Sequence, residues 1–184
     1  MRGPGIDIQA MSLAAFEDYA AWGSDEAWDR YSFAHVAPLV DRSGRMQALI
    51  DAKACVPAEH RAGFIAATLD HAINQTYRAL KCRREGDELA SRLEAAAGIT
   101  PLLDMVFALH AGRLRPYAKY LRWELERWPL ELSPMTSDAL LADLEAVLAR
   151  DGGGALRRLL LAFVPPLREA GHGPTIDAWG DVLD

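Results

Sequence analysis

From Pro57 onward the chain keeps a helical spacing of apolar residues that leaves little room for any other structure. Ile65, Leu69, Ala72, Ile73, Thr76 and Leu80 form one stripe of a helix that Pro57 opens as a first helical residue and Gly86 closes. A second helix is expected from about Asp87 to Ala97, where Gly98 breaks it. Thr100 and Pro101 then cap and start a third, which carries Leu102, Leu103, Val106, Phe107 and Leu109 and ends at Gly112. A fourth spans Pro116 to Trp128 and stops at Pro129. Two more, about 137 to 150 and 155 to 170, are separated by Asp151-Gly-Gly-Gly154, and a short tail carries Ile176, Trp179 and Val182.

Before Pro57 the pattern changes. Ile6, Ile8 and Ala10 alternate with Asp7, Gln9 and Met11, which is the period of a half-buried strand. Ser12 can cap a short helix with Leu13, Phe16 and Tyr19, and YSFAHVAPLVD reads as a second strand closed by the turn Asp41-Arg-Ser-Gly44. A helix resumes near Arg45. The expected architecture is therefore mainly α: a small β-containing (α+β) remnant over residues 1–56, then an α-helical bundle over 57–184.

The fourth helix poses a local problem. Tyr117, Leu121, Leu125 and Trp128 share one arc, which Tyr120 and Trp123 extend, while Lys119, Arg122 and Glu126 point away. Glu124 falls in the middle of that arc, where a lone carboxylate costs several kcal/mol to bury. Either the arc is not fully buried or Glu124 has a partner. At helical spacing such an arc is first of all core, with Trp123 packed inside.

The long helix after Pro57 carries a second stripe. Asp70, Asn74, Tyr77, Arg78 and Lys81 lie within about one quadrant of the wheel. Acid, amide, phenol and two cations suit a polyanionic ligand, with Arg78 and Lys81 on phosphate and Asn74 or Tyr77 on a ring or sugar. A solvated helix face would show the same pattern.

Composition narrows the classes. A net charge of −6 argues against nonspecific binding to nucleic acid or anionic membrane. The apolar runs are too short to span a bilayer, and the first residues lack the basic-then-apolar pattern of a secretory leader. Cys55 and Cys82 match no metal spacing and read as reduced thiols of a cytoplasmic protein. No Gly-rich phosphate loop, paired zinc histidines or GxSxG turn is present.

WDRYSFAHVAPLVDRSG, NQTYRALKCRREGDELASRLEAA and LLDMVFALHAGRLRPYAKYLRWELERWPL together resemble the C-terminal portion of bacterial polymerase-beta-like nucleotidyltransferases, the group that includes the aminoglycoside nucleotidyltransferases. The similarity is a spread pattern over roughly Ile6 to Leu130. It implies a small sheet with catalytic carboxylates, a helical substrate-binding domain, a nucleoside triphosphate and Mg2+. Asp7 would be the third carboxylate and a metal ligand. The Gly-Ser turn and Asp-x-Asp pair of that family are missing, since Asp25 and Asp29 follow Gly23-Ser24 too closely. The resemblance thus implies a chain that transfers no nucleotide alone, as a truncated or split protein. It places Arg115, Tyr117, Lys119 and Glu124 at the substrate cleft, with Glu124 paired to Arg78, Lys81 or Arg115. A sheet without its first strands would be covered by a second copy, giving a homo-oligomer, or by a missing catalytic half.

Two further readings remain open. One is a non-enzymatic helical interaction or dimerisation protein. The other is a HEPN-type ribonuclease, which needs an Arg followed after four to six residues by His on one helix; no expected helix carries that pair.

Overall fold

The computed structural model describes residues 8–149 and 151–183, and the chain divides into two compact units, Met1–Ala54 and Cys55–Asp184. In the first, Ser12 Oγ accepts from the Ala15 amide and starts α1 (Leu13–Asp18) as expected. A 3-10 helix spans Ala27–Phe33, and α2 covers Arg45–Lys53. The turn before α2 also forms as read: Asp41 accepts from the Ser43 and Gln47 amides, and Gly44 takes a φ of 71°.

Among the described residues neither expected strand forms. Ile6 and Asp7 lie outside the described residues, Ile8 is exposed, and Tyr31 to Phe33 coil into the 3-10 helix, leaving Val36, Leu39 and Val40 on the surface. An alternating segment becomes a strand only where a neighbour pairs its amides and carbonyls, and at Tyr31–Phe33 local 3-10 bonds satisfy them instead. Among the described residues the β pairing is an isolated bridge between Cys55 and Arg113. The α+β remnant is therefore corrected to an irregular, partly helical segment; the chain is mainly α.

The second unit is a helical bundle: α3 (Ala58–Arg84), α4 (Glu88–Leu109), α5 (Leu121–Arg127) after a 3-10 turn Ala118–Tyr120, α6 (Ser137–Val147), α7 (Gly152–Glu169) and α8 (Gly173–Asp177), then a 3-10 turn Gly180–Leu183. The most extensive packing is α3 against α4, with α7 laid over both. Leu69, Ile73, Leu102, Phe107, Leu156, Leu160 and Phe163 are fully buried between them.

Two glycine-based breaks are corrected. Gly98 does not end a helix, and α4 runs through Pro101 without interruption. A Cβ on Gly98 would lie 2.4 Å from Leu156 Cδ2, so the glycine is there to let α7 approach α4. Pro101 removes one backbone bond, worth about 3 kcal/mol with its steric strain, but Leu102, Leu103, Met105, Val106 and Phe107 are buried just beyond it and their packing outweighs that. Likewise Gly152, Gly153 and Gly154 are the first turn of α7 rather than a linker, and a Cβ on Gly153 would sit 3.2 Å from Ala79 Cβ on α3.

Candidate functional site

The polar stripe of α3 is present but does not face one open cleft. Asp70 accepts a hydrogen bond of 2.8 Å from Trp179 Nε1, and the Trp179 ring lies 6.5 Å from that of Tyr77. Arg78 turns toward α4 and bonds Glu94 at 2.5 Å. Asn74 is half-buried, and Lys81 is exposed. The stripe thus spends its acid and phenol on the C-terminal segment and one cation on a helix-helix tie.

The α5 region resolves the Glu124 problem with a different cation. Glu124 is 1% exposed and accepts from Arg113 at 2.6 Å; Arg113 also donates to Trp128 O at 2.9 Å and stacks over Phe107. Of the three expected partners, Arg78 bonds Glu94, Arg115 bonds Asp104 at 2.7 Å, and Lys81 is exposed. Burial outweighs that Arg115 guanidinium and holds the Asp104 carboxyl above its ordinary range. Arg113 was missed because it precedes the fourth helix in sequence; Gly112, at a φ of 80°, turns the chain so that Arg113 reaches back over α5.

The aromatic arc is also corrected. Leu125 is its buried member, whereas Trp123 is 50% and Tyr120 42% exposed. A 3-10 turn at the start shifts the wheel, so the rings run as a surface row: Tyr117 to Tyr120 at 6.4 Å, Tyr120 to Trp123 at 6.3 Å, Trp123 to Trp128 at 5.0 Å. Lys119 Nζ stands 4.7 Å from the Tyr120 ring centre.

A cleft of about 770 Å³ opens beside the stripe, lined by Tyr77, Leu80, Arg83, Arg84, Arg157, Asp181 and Val182. It gathers three guanidiniums from α3 and α7 around one phenol, on a chain whose net charge is −6. Tyr77 is the member that the sequence stripe named; Arg83 and Arg84 lie just past the stripe, and Arg157 is brought in by the helix packing that Gly98 and Gly153 allow. The signal in sequence is two adjacent-arginine pairs, Arg83-Arg84 and Arg157-Arg158. Asp151, at the head of α7, pairs with Arg83 and stands 3.5 Å from Arg158. None of Arg115, Tyr117, Lys119 or Glu124 contributes to this cleft, so the two sets of expected site residues are not brought together there.

Asp7 lies outside the described residues. Among the described residues no three His, Cys, Asp or Glu side chains gather as a metal site, and no helix is long and apolar enough to cross a membrane. The Arg-x4-His spacing of the ribonuclease reading does occur, at Arg30 and His35. The 3-10 helix ends at Phe33 between them, however, and Arg30 is buried on the carbonyls of Ala20 and Ala52. Comparison with models of known families, with curated proteins and with solved structures finds no match.

Proposed function

We propose that this chain is the ligand-holding helical domain of a nucleotidyltransferase-like protein, and that its cleft takes the polyphosphate of a nucleotide. The observation that supports this is the convergence of Arg83, Arg84 and Arg157 beside the Tyr77 ring. Guanidiniums suit phosphate because their planar donors match two oxygens at once, and Tyr77 offers a face for a base or sugar. The phosphate cations are thus Arg83, Arg84 and Arg157 rather than Arg78 and Lys81. Mg2+ would enter with the nucleotide. With no Asp-x-Asp pair, the chain alone transfers no nucleotide to an aminoglycoside or any other acceptor, and a catalytic half supplied by another chain completes the centre.

Titration calorimetry with ATP and its magnesium complex tests the reading. The parent should bind, Arg84→Gln with Arg157→Gln should weaken binding by about tenfold or more, and Lys81→Met should change it little. Equal binding by the double variant and the parent overturns it.

The row Tyr120 and Trp123 favours a second reading, a non-enzymatic helical interaction or dimerisation protein, since two large exposed rings side by side are costly on a surface that nothing covers. The original motive for an oligomer, an exposed sheet edge, falls with the strands. A sedimentation measurement at tens of micromolar decides: a dimer dispersed by Trp123→Ser favours this reading, a monomer removes it.

A further inference from the structure

After α7 the chain turns at Gly171, with a φ of 91°, and runs back along α3. Ile176 is buried, Arg168 bonds Asp177 at 2.6 Å with both side chains about half exposed or more, and Trp179 reaches Asp70 and Tyr77. Exposed ion pairs of this kind resist water poorly. Just beyond Trp179, after Gly180 at a φ of 54°, Asp181 and Val182 form a wall of the arginine cleft.

We propose that residues 173–183 are a strap that anion binding displaces, with Asp181 as a built-in competitor. The proposal rests on the reading that the cleft takes phosphate. Asp181 puts one carboxylate in the field of Arg83, Arg84 and Arg157, offsetting part of their charge. A tripolyphosphate carries several negative charges and many acceptor oxygens, so it wins the guanidiniums from a single carboxylate and then repels it. Among the described residues the strap's other side-chain ties are the exposed Arg168–Asp177 pair and the Trp179–Asp70 bond, both open to water. Ligand affinity is then reduced by the fraction of molecules in which the strap is docked, so loosening the strap should tighten binding. Release would also free Asp70 and Tyr77, the stripe residues that Trp179 now contacts.

The test uses the whole chain with tripolyphosphate, and sulfate at equal ionic strength as the control. Amide hydrogen exchange across residues 176–182 should speed up with tripolyphosphate and not with sulfate. Asp181→Asn and Trp179→Phe, both at surface contacts, should each bind tripolyphosphate about two- to fivefold more tightly than the parent. Binding by the parent with unchanged or slower exchange in the strap, or equal affinity in both variants, overturns the strap and leaves the cleft standing. If neither the parent nor either variant binds, cleft and strap fall together.

Discussion

The units on either side of Ala54 hold themselves together by different means. In the first, the buried apolar residues among those described are few: Ala20, Tyr31 and Ile50. Buried with them are two cations. Arg30 donates to Ala20 O at 2.9 Å and Ala52 O at 2.6 Å, and Lys53 donates to Glu17 O at 2.9 Å and Tyr19 O at 2.5 Å. Arg30 also lies over Trp22 and Lys53 over Phe16. In the second unit the largest fully buried side chains are Leu, Ile, Met and Phe from α3, α4, α5, α6 and α7. A unit of the first one's size cannot remove enough apolar area from water to hold irregular backbone in place. Long cationic side chains do it instead, their stems covering the rings and their heads satisfying loop carbonyls. The arrangement has a cost: burial, with Arg30 close by, pushes the Lys53 ammonium below the ordinary lysine range.

The sharpest way to break this contrast is in the second unit. Phe163→Ala deletes a fully buried ring where α7 meets the bundle, and should lower stability by about 3–5 kcal/mol. Denaturant unfolding with an unchanged slope is the expected signature. A loss under about 1 kcal/mol would show that the apolar core is not what holds this unit.

The second unit has one tie of the first unit's kind, Arg113 on Glu124. Arg113→Met strips a buried carboxylate of its guanidinium and should cost about 3 kcal/mol, most of it recovered when Glu124→Leu is added. Close by, His110 adds a pH dependence. Its Nδ1 is 2.7 Å from Val106 O, Nε2 has no partner among the described residues, and burial, reinforced by Arg113, holds its pKa below the ordinary 6.5. The unfolded chain therefore takes up the proton first, so stability is full above about pH 6.5 and declines as pH falls below it. His172, also lowered by burial, acts in the same direction. His110→Gln should flatten part of that acid limb and leave the neutral-pH midpoint nearly unchanged.

Arg30→Met tests the first unit directly. It removes two charge-assisted bonds to carbonyls, a loss of about 1.5–3 kcal/mol. The effect should be local: faster amide exchange between residues 13 and 53, with protection in α3, α4 and α7 unchanged. Equal loosening of α3 would mean that the two units do not hold themselves separately.

Legibility in the sequence followed the same divide. The apolar stripe on α3 is read correctly because its period is fixed by the core it faces. The glycines of α4 and α7 are misread because the feature that selects them, a neighbouring helix pressed against a missing Cβ, is invisible along one chain. The strands of the first unit are misread because alternation describes which face is apolar without saying whether any strand lies alongside to pair. The cleft is half legible: Tyr77 lies on the stripe, but Arg157 joins it only through the packing of α7 on α3.

Trp123 shows where periodicity alone misleads. Its place on the arc puts it in the core, which would make Trp123→Ala cost about 3–5 kcal/mol. In the fold the 3-10 turn at Ala118–Tyr120 rotates it outward, and half its surface remains in water. Its contacts are the rings of Tyr120 at 6.3 Å and Trp128 at 5.0 Å, both close to edge-on. Pairs of that geometry are worth about 0.5–1.5 kcal/mol, so the substitution should cost roughly that and no more. Leu125→Ala, two residues away and fully buried, should cost about 2–5 kcal/mol. Thermal unfolding of the two variants side by side checks this. A larger loss from Trp123 than from Leu125 would mean that the row of rings is covered in solution, and would move the weight from the cleft to an interface between chains.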